Sequence, residues 1–374
     1  MTAMGLAAVD EHSIPEPSQS LGPLAEHLVD PEVEEVRING TDCCFVFRGG
    51  RRIAMPSPFA NEQELIELVH WYTDGTSTAR LDRASPMVTM TLPDGSRLHA
   101  VLSPPARPMS VTIRRHPPAR FPDLRALAVS GFLPLCLIPL LEAAVAGRLN
   151  VLVAGGAGAG KTTFMRVLSR LFGAYERIVT IEDQAELHLW RELPDCISLE
   201  GRPPNTEGKG AITIQMLVHE ALRMSPDRIV IGEVRGGEAL DLLDAMNTGH
   251  PGSICTIHAD SPRETLPRLV RLALRNAQAP RAEAVLGEVV NTVDLILFAG
   301  FARRHDQGRR VRRLLSIGCV AGVDDGRPAV KELVRLADGG TWHRLASPAS
   351  IPERVGCKLE RVAAVDGLLD GFDA

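Results

Sequence analysis

The stretch that decides the fold is GGAGAGKTT, residues 155–163, which follows the apolar run NVLVAG (150–155). It matches the pattern GxxxxGK[ST], in which successive backbone N–H groups turn inward around a polyphosphate. The segment TTFMRVLSRLFG (162–173) is typical of a helix that ends at a glycine. A strand, a glycine-rich loop and a helix in this order predict a phosphate-binding loop (P-loop), with the positive end of the helix dipole aimed at the anion.

The residues of this loop divide the expected chemistry among them. The Lys161 ammonium is expected to reach the β- and γ-phosphates, and the Thr162 hydroxyl is expected to ligate Mg²⁺. The residues predicted to line the nucleotide are Gly156, Ala157, Gly158, Ala159, Gly160, Lys161, Thr162 and Thr163. The pattern therefore predicts ATP and Mg²⁺ as ligands of the chain.

Apolar strands alternate with helices throughout the second half of the sequence. The strand-like runs are NVLVAG (150–155), RIVTIED (177–183), DRIVIGE (227–233), SICTIHA (253–259) and VDLILFAG (293–300). Alternation at this period is typical of an α/β domain with a doubly wound, mostly parallel sheet.

Acidic residues end two of these strands, where a phosphate loop needs carboxylates to hold Mg²⁺ through water and to orient the attacking water. Glu233 follows an apolar run and is predicted to act alone, because Gly232 stands where many P-loop enzymes carry Asp. The other strand ends on Glu182 and Asp183, with Glu186 three residues further on. These acids either begin a solvated helix or, as the nearby loop favours, act in catalysis; the sequence leaves open whether Glu182 or Glu186 orients the water.

The stretch TGHPGSICTIHA (248–259) combines two histidines and a cysteine. Strand alternation places Cys255 and His258 on opposite faces, which disfavours a shared metal site. Thr256 and His258 are predicted to end a strand beside the phosphate loop and to sense the nucleotide, with His250 in a loop near the same pocket. The alternative is a buried structural histidine.

The first half of the sequence reads as a smaller α/β domain. VRING (36–40) ends a strand at an Asn-Gly turn, and NEQELIELVHWY (61–72) is helical with Asn61 as its cap. MVTMTLPDGSRLHAVL (87–102) is typical of a β-hairpin, and MSVTIRR (109–115) predicts one more strand.

Prolines mark the boundary between the two halves, since HPPARFPDL (116–124) holds three of them and favours a linker. The run ARRHDQGRRVRRLL (302–315) predicts a solvated strand–loop–strand edge rather than a docking site for acidic partners. The predicted organisation is a flexible N-terminus at 1–22, a small α/β domain at 23–116, a linker at 117–125 and the main α/β domain with a C-terminal extension at 126–374.

Composition excludes several classes of protein. The net charge of −5 argues against a dedicated nucleic-acid binder. The longest apolar run, FLPLCLIPLL (132–141), is about half of the ~20 residues that a membrane helix needs, so no membrane span is expected. Seven cysteines without a CxxC pair support neither a zinc ribbon nor a redox motif and fit a reducing cytoplasm.

These motifs together resemble the secretion ATPases of the type II/type IV secretion superfamily, which includes the pilus-assembly motors. GGAGAGKTT corresponds to the Walker A motif, TIEDQAEL (180–187) to the Asp box, ALRMSPDRIVIGEVRGGEA (221–239) to the Walker B region and TGHPGSICTIHA to the His box. The four appear in the family's order. The resemblance implies that the main domain is a RecA-like P-loop NTPase domain.

The stretch LEGRPPNTEGKGAITI (199–214) resembles the Tad/Flp pilus branch, the CpaF/TadA-like proteins. The four-cysteine zinc insert of the classical type II motors is missing from the sequence, and Gln184 stands where those motors tend to have Pro. Gly201 departs from the branch, which more often has Thr there.

The resemblance also implies a hexameric ring in which arginines of the amino-terminal domain reach the phosphates. By motif position the catalytic candidates are Arg97 and Arg114, with Arg115 adjacent. Arg202 and Arg235 are further candidates that would face a neighbour or the nucleotide. The alternative for each is a surface ion pair, which contributes ~0–1 kcal/mol.

The motifs thus predict hydrolysis of Mg·ATP, and the resemblance implies a cytoplasmic motor that assembles a Tad/Flp-type pilus or drives secretion. It would attach to the membrane through platform proteins and hydrolyse ATP by in-line attack of water. The nearest alternative is a type IV secretion or conjugation ATPase with the same chemistry. A nucleic-acid motor, which the net charge disfavours, and a nucleotide-binding regulator without turnover are the remaining alternatives.

Overall fold

The computed structural model describes residues 22–30, 32–48, 51–74, 80–92, 94–115, 121–204, 208–303, 310–337, 340–363 and 365–369. The chain divides into two compact units, Met1–Arg120 and Phe121–Ala374. This division falls within the predicted linker. The prediction of a flexible N-terminus concerns residues that lie almost wholly outside the described ranges.

The first unit contains an antiparallel sheet. Its strands are β1 (Val33–Asn39), β2 (Cys43–Arg48), β3 (Arg51–Met55), β4 (Met87–Thr91), β5 (Arg97–Val101) and β6 (Ser110–Arg114), and its helices are α1 (Ala25–Val29) and α2 (Glu62–Asp74). In the described part of this unit the strand order is β3-β2-β1-β6-β5-β4. The predicted cap of α2 is confirmed, because the Glu64 N–H donates to Asn61 Oδ1 at 3.0 Å. The predicted hairpin is the β4–β5 pair.

The second unit carries the longer series of elements. They are α3 (Leu124–Val129), α4 (Ile138–Ala146), β7 (Val151–Gly155), α5 (Lys161–Ser169), β8 (Ile178–Glu182), β9 (Cys196–Glu200), α6 (Ile214–Ala221), β10 (Arg228–Val234), α7 (Glu238–Asn247), β11 (Ile254–His258), α8 (Pro262–Ala273), α9 (Ala282–Thr292), β12 (Leu295–Arg303), β13 (Arg310–Asp324), β14 (Arg327–Leu336), β15 (Trp342–Arg344), α10 (Glu353–Glu360) and α11 (Val365–Leu368). All five strands predicted for this half are present as β7, β8, β10, β11 and β12.

The sheet of the second unit is mixed, with the strand order β15-β14-β13-β12-β7-β11-β10-β8-β9 in the described residues. The strands from β12 to β9 in this order run parallel, which confirms the predicted mostly parallel sheet. Strands β13, β14 and β15 add to it as an antiparallel extension that the sequence did not predict. The strand–loop–strand predicted at 302–315 corresponds to the paired ends of β12 and β13, and β14 pairs with β13 only from Ser316 onward. Residues 304–309, where the loop is predicted, lie outside the described ranges.

Both faces of the parallel sheet are buried, as the near-continuous apolar runs require. Along β7, Val151 and Val153 belong to a cluster that includes α4 and α5, whereas Leu152 and Ala154 belong to a cluster that includes α7 and α8. Among the described helices, none combines the length and the apolar character that a membrane crossing requires.

Candidate active site

The phosphate loop connects the buried strand β7 to the first turn of α5, so the predicted strand–loop–helix is confirmed. Gly155 has a φ of +149°, and a Cβ built on it would lie 2.0 Å from the backbone oxygen of Ala299. Gly160 has a φ of +93° directly before the helix begins. Only glycine adopts these conformations readily, and a side chain at 155 would collide with β12.

Lys161 is buried at the start of α5, with 7% of its surface exposed. Its Nζ donates to the carbonyl oxygens of Gly155 (3.1 Å) and Gly156 (3.0 Å) and lies 3.3 Å from Nδ1 of His258. Burial lowers the pKa of the ammonium, Glu233 opposes this change, and Arg235 adds to it. The lysine is therefore held inside its own loop by neutral acceptors.

His258 connects this lysine to the acid predicted for Mg²⁺. Its Nε2 lies 3.1 Å from Oε1 of Glu233, on the opposite side of the ring from Lys161. Burial, together with the positive charge of Lys161, lowers the pKa of the imidazole. A neutral ring that accepts from Lys161 at Nδ1 carries its hydrogen at Nε2, facing Glu233. The predicted position of His258, at a strand end beside the phosphate loop, is confirmed.

Glu233 and Arg235 extend the contacts away from the loop. Arg235 donates to Glu233 Oε2 at 2.7 Å and to Asp183 Oδ2 at 2.8 Å. The hydrogen bond with Glu233 raises the pKa of the Arg235 guanidinium. Glu233 Oε1 is buried, and its contact with His258 Nε2 at 3.1 Å is not aligned as a hydrogen bond. This carboxylate oxygen therefore retains the capacity to accept a further donor or a cation beside His258.

Glu182, one of the two acids left open by the sequence, points into the protein. Its carboxylate accepts the backbone N–H groups of Glu186 and Leu187, each at 3.1 Å from Oε1. Burial raises the pKa of this carboxyl to about 8, although the two N–H groups oppose the change. The side chain also fills the space beside Gly232, where an added Cβ would lie 2.9 Å from Glu182 Cγ. This packing gives a physical reason for the glycine before Glu233.

The remaining predicted residues of the second unit belong to the loop, to the start of α5 or to the segment that follows β8. Thr162 is half-buried and Thr163 exposed at the start of α5. Glu186 is half-buried and follows β8. Ala157 and Gly158, which precede α5 in the loop, are exposed.

Two expectations for the His box need correction. Thr256 is buried, and its hydroxyl donates to the Gly232 carbonyl at 2.6 Å, so it joins β11 to β10 rather than facing a ligand. His250 precedes β11 and contacts the Ala245 carbonyl at the end of α7. It therefore lies at the amino ends of the parallel strands, the opposite edge of the sheet from the phosphate loop. Cys255 is fully buried in the core.

The predicted arginines fall into two groups. Arg97 and Arg114 belong to the first unit, where they face each other across the β5–β6 pair, Arg97 half-buried and Arg114 exposed. Arg115 donates within the same unit to the backbone oxygen of Asp30. In the second unit, Arg202 donates to the Gly210 carbonyl at 3.0 Å. Among the described contacts, only Arg235 of these five touches the acids around the loop, and the roles of the others stay predictions.

A further arginine at the loop was missed. Arg312, on β13, donates from Nε to the Gly158 carbonyl at 2.8 Å. The two residues lie 154 positions apart in the sequence. Local sequence patterns carry no signal for such a contact, because it depends on the antiparallel pairing of β13 with β12.

Comparison with known proteins identifies the family to which this chain belongs. Residues 18–340 match the type II/IV secretion system protein family. The chain belongs to this family. Among its relatives, the type IV secretion system protein PtlH of Bordetella pertussis is 36% identical over 302 residues, covering 72% of this chain and 86% of the relative. VirB11 of Agrobacterium fabrum is 31% identical over 306 residues, covering 74% and 87%.

The fold is likewise shared with a solved ATPase structure. The ATPase DotB of Legionella pneumophila superposes with a TM-score of 0.53, at 20% identity and over 81% of each chain. This likeness concerns the fold alone. In the present member of the type II/IV secretion family, one sheet edge brings together a nest of backbone N–H groups, a buried ammonium, an imidazole and a partly satisfied carboxylate. Such a set can bind a polyphosphate and its cation.

Proposed function

We propose that the chain is an ATPase that hydrolyses Mg·ATP at the phosphate loop. The observation that carries this proposal is the connected set Lys161–His258–Glu233 at the mouth of a strand–loop–helix. A lysine in the phosphate loop and a carboxylate beside it are groups that P-loop enzymes use in phosphoryl transfer, and His258 contacts both of them here. Membership of the type II/IV secretion system protein family and a fold shared with the ATPase DotB support the same proposal.

Lys161 and the loop would hold the phosphates. An incoming phosphate offers Nζ of Lys161 charged acceptors in place of the neutral carbonyls of Gly155 and Gly156. Thr162 and Glu233 would hold Mg²⁺, the latter through water, which the buried Oε1 of Glu233 can accept because it makes no aligned hydrogen bond within the described residues. Mg²⁺ bound with ATP would neutralise charge on the transferred phosphoryl group.

We assign the orientation of the attacking water to Glu186 rather than to Glu182. A carboxyl whose pKa is raised to about 8 is mostly protonated at neutral pH and is therefore a poor acceptor for a proton from water. The Glu182 side chain is also committed to the N–H groups that follow β8. Glu186 is half-buried and close enough to Arg235 for their charges to interact.

Arg97 and Arg114 are proposed to reach the phosphates from the first unit, as the arginines of this family's ring would. Two arginines facing each other across a strand pair repel unless an anion lies between or near them. Arg97 begins β5 and Arg114 ends β6, so an anion at this end of the strand pair would contact both side chains. A hexamer of the chain, in the cytoplasm and attached to the membrane through platform proteins, is part of this proposal.

The machine that the ATPase drives is proposed to be a Tad/Flp-type pilus, on the strength of the stretch at residues 199–214. A type IV secretion or conjugation machine is the second candidate, favoured by the identity with PtlH and VirB11. The neighbouring genes distinguish the two candidates. A small pilin gene beside two integral-membrane platform genes supports the pilus, whereas relaxase and coupling-protein genes support conjugation.

The hydrolysis proposal is tested by comparing the wild type with Lys161→Ala and Glu233→Ala. Lys161→Ala is expected to weaken Mg·ATP binding at least about tenfold, and Glu233→Ala to lower kcat at least about 100-fold. Lys331→Ala, on β14, serves as the control for the loss of a lysine elsewhere in the same sheet. A wild type that hydrolyses ATP no faster than the two variants would refute the proposal. ATPase activity that DNA stimulates with a steep salt dependence would instead indicate a nucleic-acid motor.

A further inference from the structure

The hairpin formed by β12 and β13 lies against the outside of the phosphate loop. Phe301 and Arg312 are partners across this hairpin. A Cβ built on Gly158 would lie 3.8 Å from Phe301 Cζ, and one built on Gly160 would lie 3.8 Å from Arg312 Cδ. One cross-strand pair therefore touches the loop at two of its glycines.

The first half of β13 is itself held in place. Strand β14 pairs with β13 only from Ser316 onward. Ahead of that point the Leu314 N–H donates to the Phe132 carbonyl at 2.8 Å, and Leu314 is fully buried. Phe132 packs on Phe164 of α5, with ring centroids 5.2 Å apart. Arg312 is therefore presented to the loop by a fixed strand rather than by a mobile segment.

A single hydrogen bond joins this strand to the loop backbone. Arg312 Nε donates to the Gly158 carbonyl at 2.8 Å. Within the described ranges, the other guanidinium nitrogens of Arg312 have no hydrogen bond or ion pair. A hydrogen bond from a charged donor is stronger than one between neutral groups, so it can fix the orientation of a peptide in a glycine-rich loop.

The orientation of this peptide decides where the next N–H points. In a trans peptide the carbonyl and the N–H point in opposite directions, so a Gly158 carbonyl held outward turns the Ala159 N–H into the loop. There the Ala159 N–H lies 3.4 Å from the Gly156 carbonyl, longer than an ordinary hydrogen bond. The same carbonyl accepts from Nζ of Lys161. The Ala159 N–H can thus leave a weak acceptor for a phosphate oxygen.

We propose that Arg312 is a positioning residue of the phosphate loop, which holds the Gly158 carbonyl outward and thereby presents the Ala159 N–H to the phosphates of the nucleotide. This inference rests on the proposed nucleotide binding at the loop. Arg312 acts through the peptide and not through its charge on the phosphates. The antiparallel extension of the sheet is then a support for the nucleotide site.

Three substitutions separate the hydrogen bond from the charge. In Arg312→Gln the Nε2 donor stands the same number of bonds from Cα as Nε of arginine, but it carries no charge. Arg312→Met keeps an unbranched side chain but removes the donor. Arg312→Leu also lacks the donor and is used if Arg312→Met does not fold. Arg335→Met removes an exposed arginine that pairs with Glu332 on the neighbouring strand β14, and is the control.

The measurements are the Kd of fluorescent Mg·ADP and the KM and kcat of ATP hydrolysis. Arg312→Met is expected to raise Kd and KM about fivefold, and Arg312→Gln to stay within about twofold of the wild type. The value of kcat is expected to change little, because the N–H contacts phosphate in both the ground and the transition state. A merely structural role would instead lower kcat by reducing the active fraction.

Two results would overturn the inference. One is an unchanged Kd in Arg312→Met, which would mean that the hydrogen bond does not matter for binding. The other is an equal loss in Arg312→Gln and Arg312→Met, which would mean that the charge acts directly. Both results count only if the wild type binds Mg·ADP. A wild type that does not bind Mg·ADP refutes the proposed function instead, so the two failures are distinguishable.

Discussion

Glu182→Gln is expected to lose a pH dependence of stability that the wild type has. Burial raises the pKa of the Glu182 carboxyl from its ordinary 4.5 to about 8. Because the folded value is the higher one, the protonated carboxyl contributes stability that is fully present below pH 4.5. That contribution is lost as the pH rises through about 8.

The magnitude follows from the shift. Between the unfolded and the folded pKa, each pH unit removes ~1.4 kcal/mol from the free energy of unfolding of the wild type. From about pH 6 to about pH 7.5 the wild type should therefore lose about 2 kcal/mol relative to the variant. The glutamine retains an oxygen for the N–H groups of Glu186 and Leu187, so the comparison leaves those donors satisfied.

The assay is urea unfolding of both proteins at several pH values, followed by tryptophan fluorescence. Glu192→Gln is the matched control in the same segment. The hydrogen bond with Arg170 lowers the pKa of the Glu192 carboxyl to about 2, so that group is ionised in both folded and unfolded chains across this window. Its difference from the wild type should be constant. A constant difference for Glu182→Gln as well would refute the buried, protonated carboxyl.

The other predictions concern the loop and its histidine. Gly155→Ala should lower the free energy of unfolding by about 3 kcal/mol or more, because its Cβ would collide with the Ala299 carbonyl. Gly156→Ala should change the free energy of unfolding little, because no atom lies within 4 Å of the added Cβ. Equal urea midpoints for the two variants would contradict this prediction. His258 has its pKa lowered by burial and by Lys161, so its neutral form contributes stability that is present above pH 6.5 and lost as the pH falls through the folded value. On acidification from about pH 7.5 to about pH 5.5 the wild type should lose more stability than His258→Asn, and parallel thermal midpoints for the two proteins would argue against the neutral ring.

The parts of the site that could be predicted are those in which a short stretch of sequence determines its own local backbone conformation. The sequence at 155–163 predicts its loop because glycine, lysine and threonine at fixed spacing specify one backbone path. The positions of Glu233 and His258 at neighbouring strand ends follow from the parallel alternation of elements. Alternation along β11 likewise predicts that Cys255 is buried in the core while His258 faces the loop.

The parts that could not be predicted depend on which strands become neighbours. The contact of Arg312 with Gly158 requires β13 to fold back on β12, and no local pattern indicates that pairing. The burial of Glu182 arises because β10 leaves a glycine-sized space beside it. His250 is close to His258 in the sequence, yet the whole length of β11 separates it from the phosphate loop.

A continuous series of contacts at this edge of the sheet runs from Lys161 through His258, Glu233 and Arg235 to Asp183. Nucleotide binding at this edge is therefore an exchange of partners. Each charged group already has a partner within the chain, so an arriving Mg·ATP replaces one set of partners with another. Its net affinity is then the difference between two large sets of contacts. A substitution that weakens an internal partner, such as Asp183→Asn, should therefore alter nucleotide affinity without touching the nucleotide.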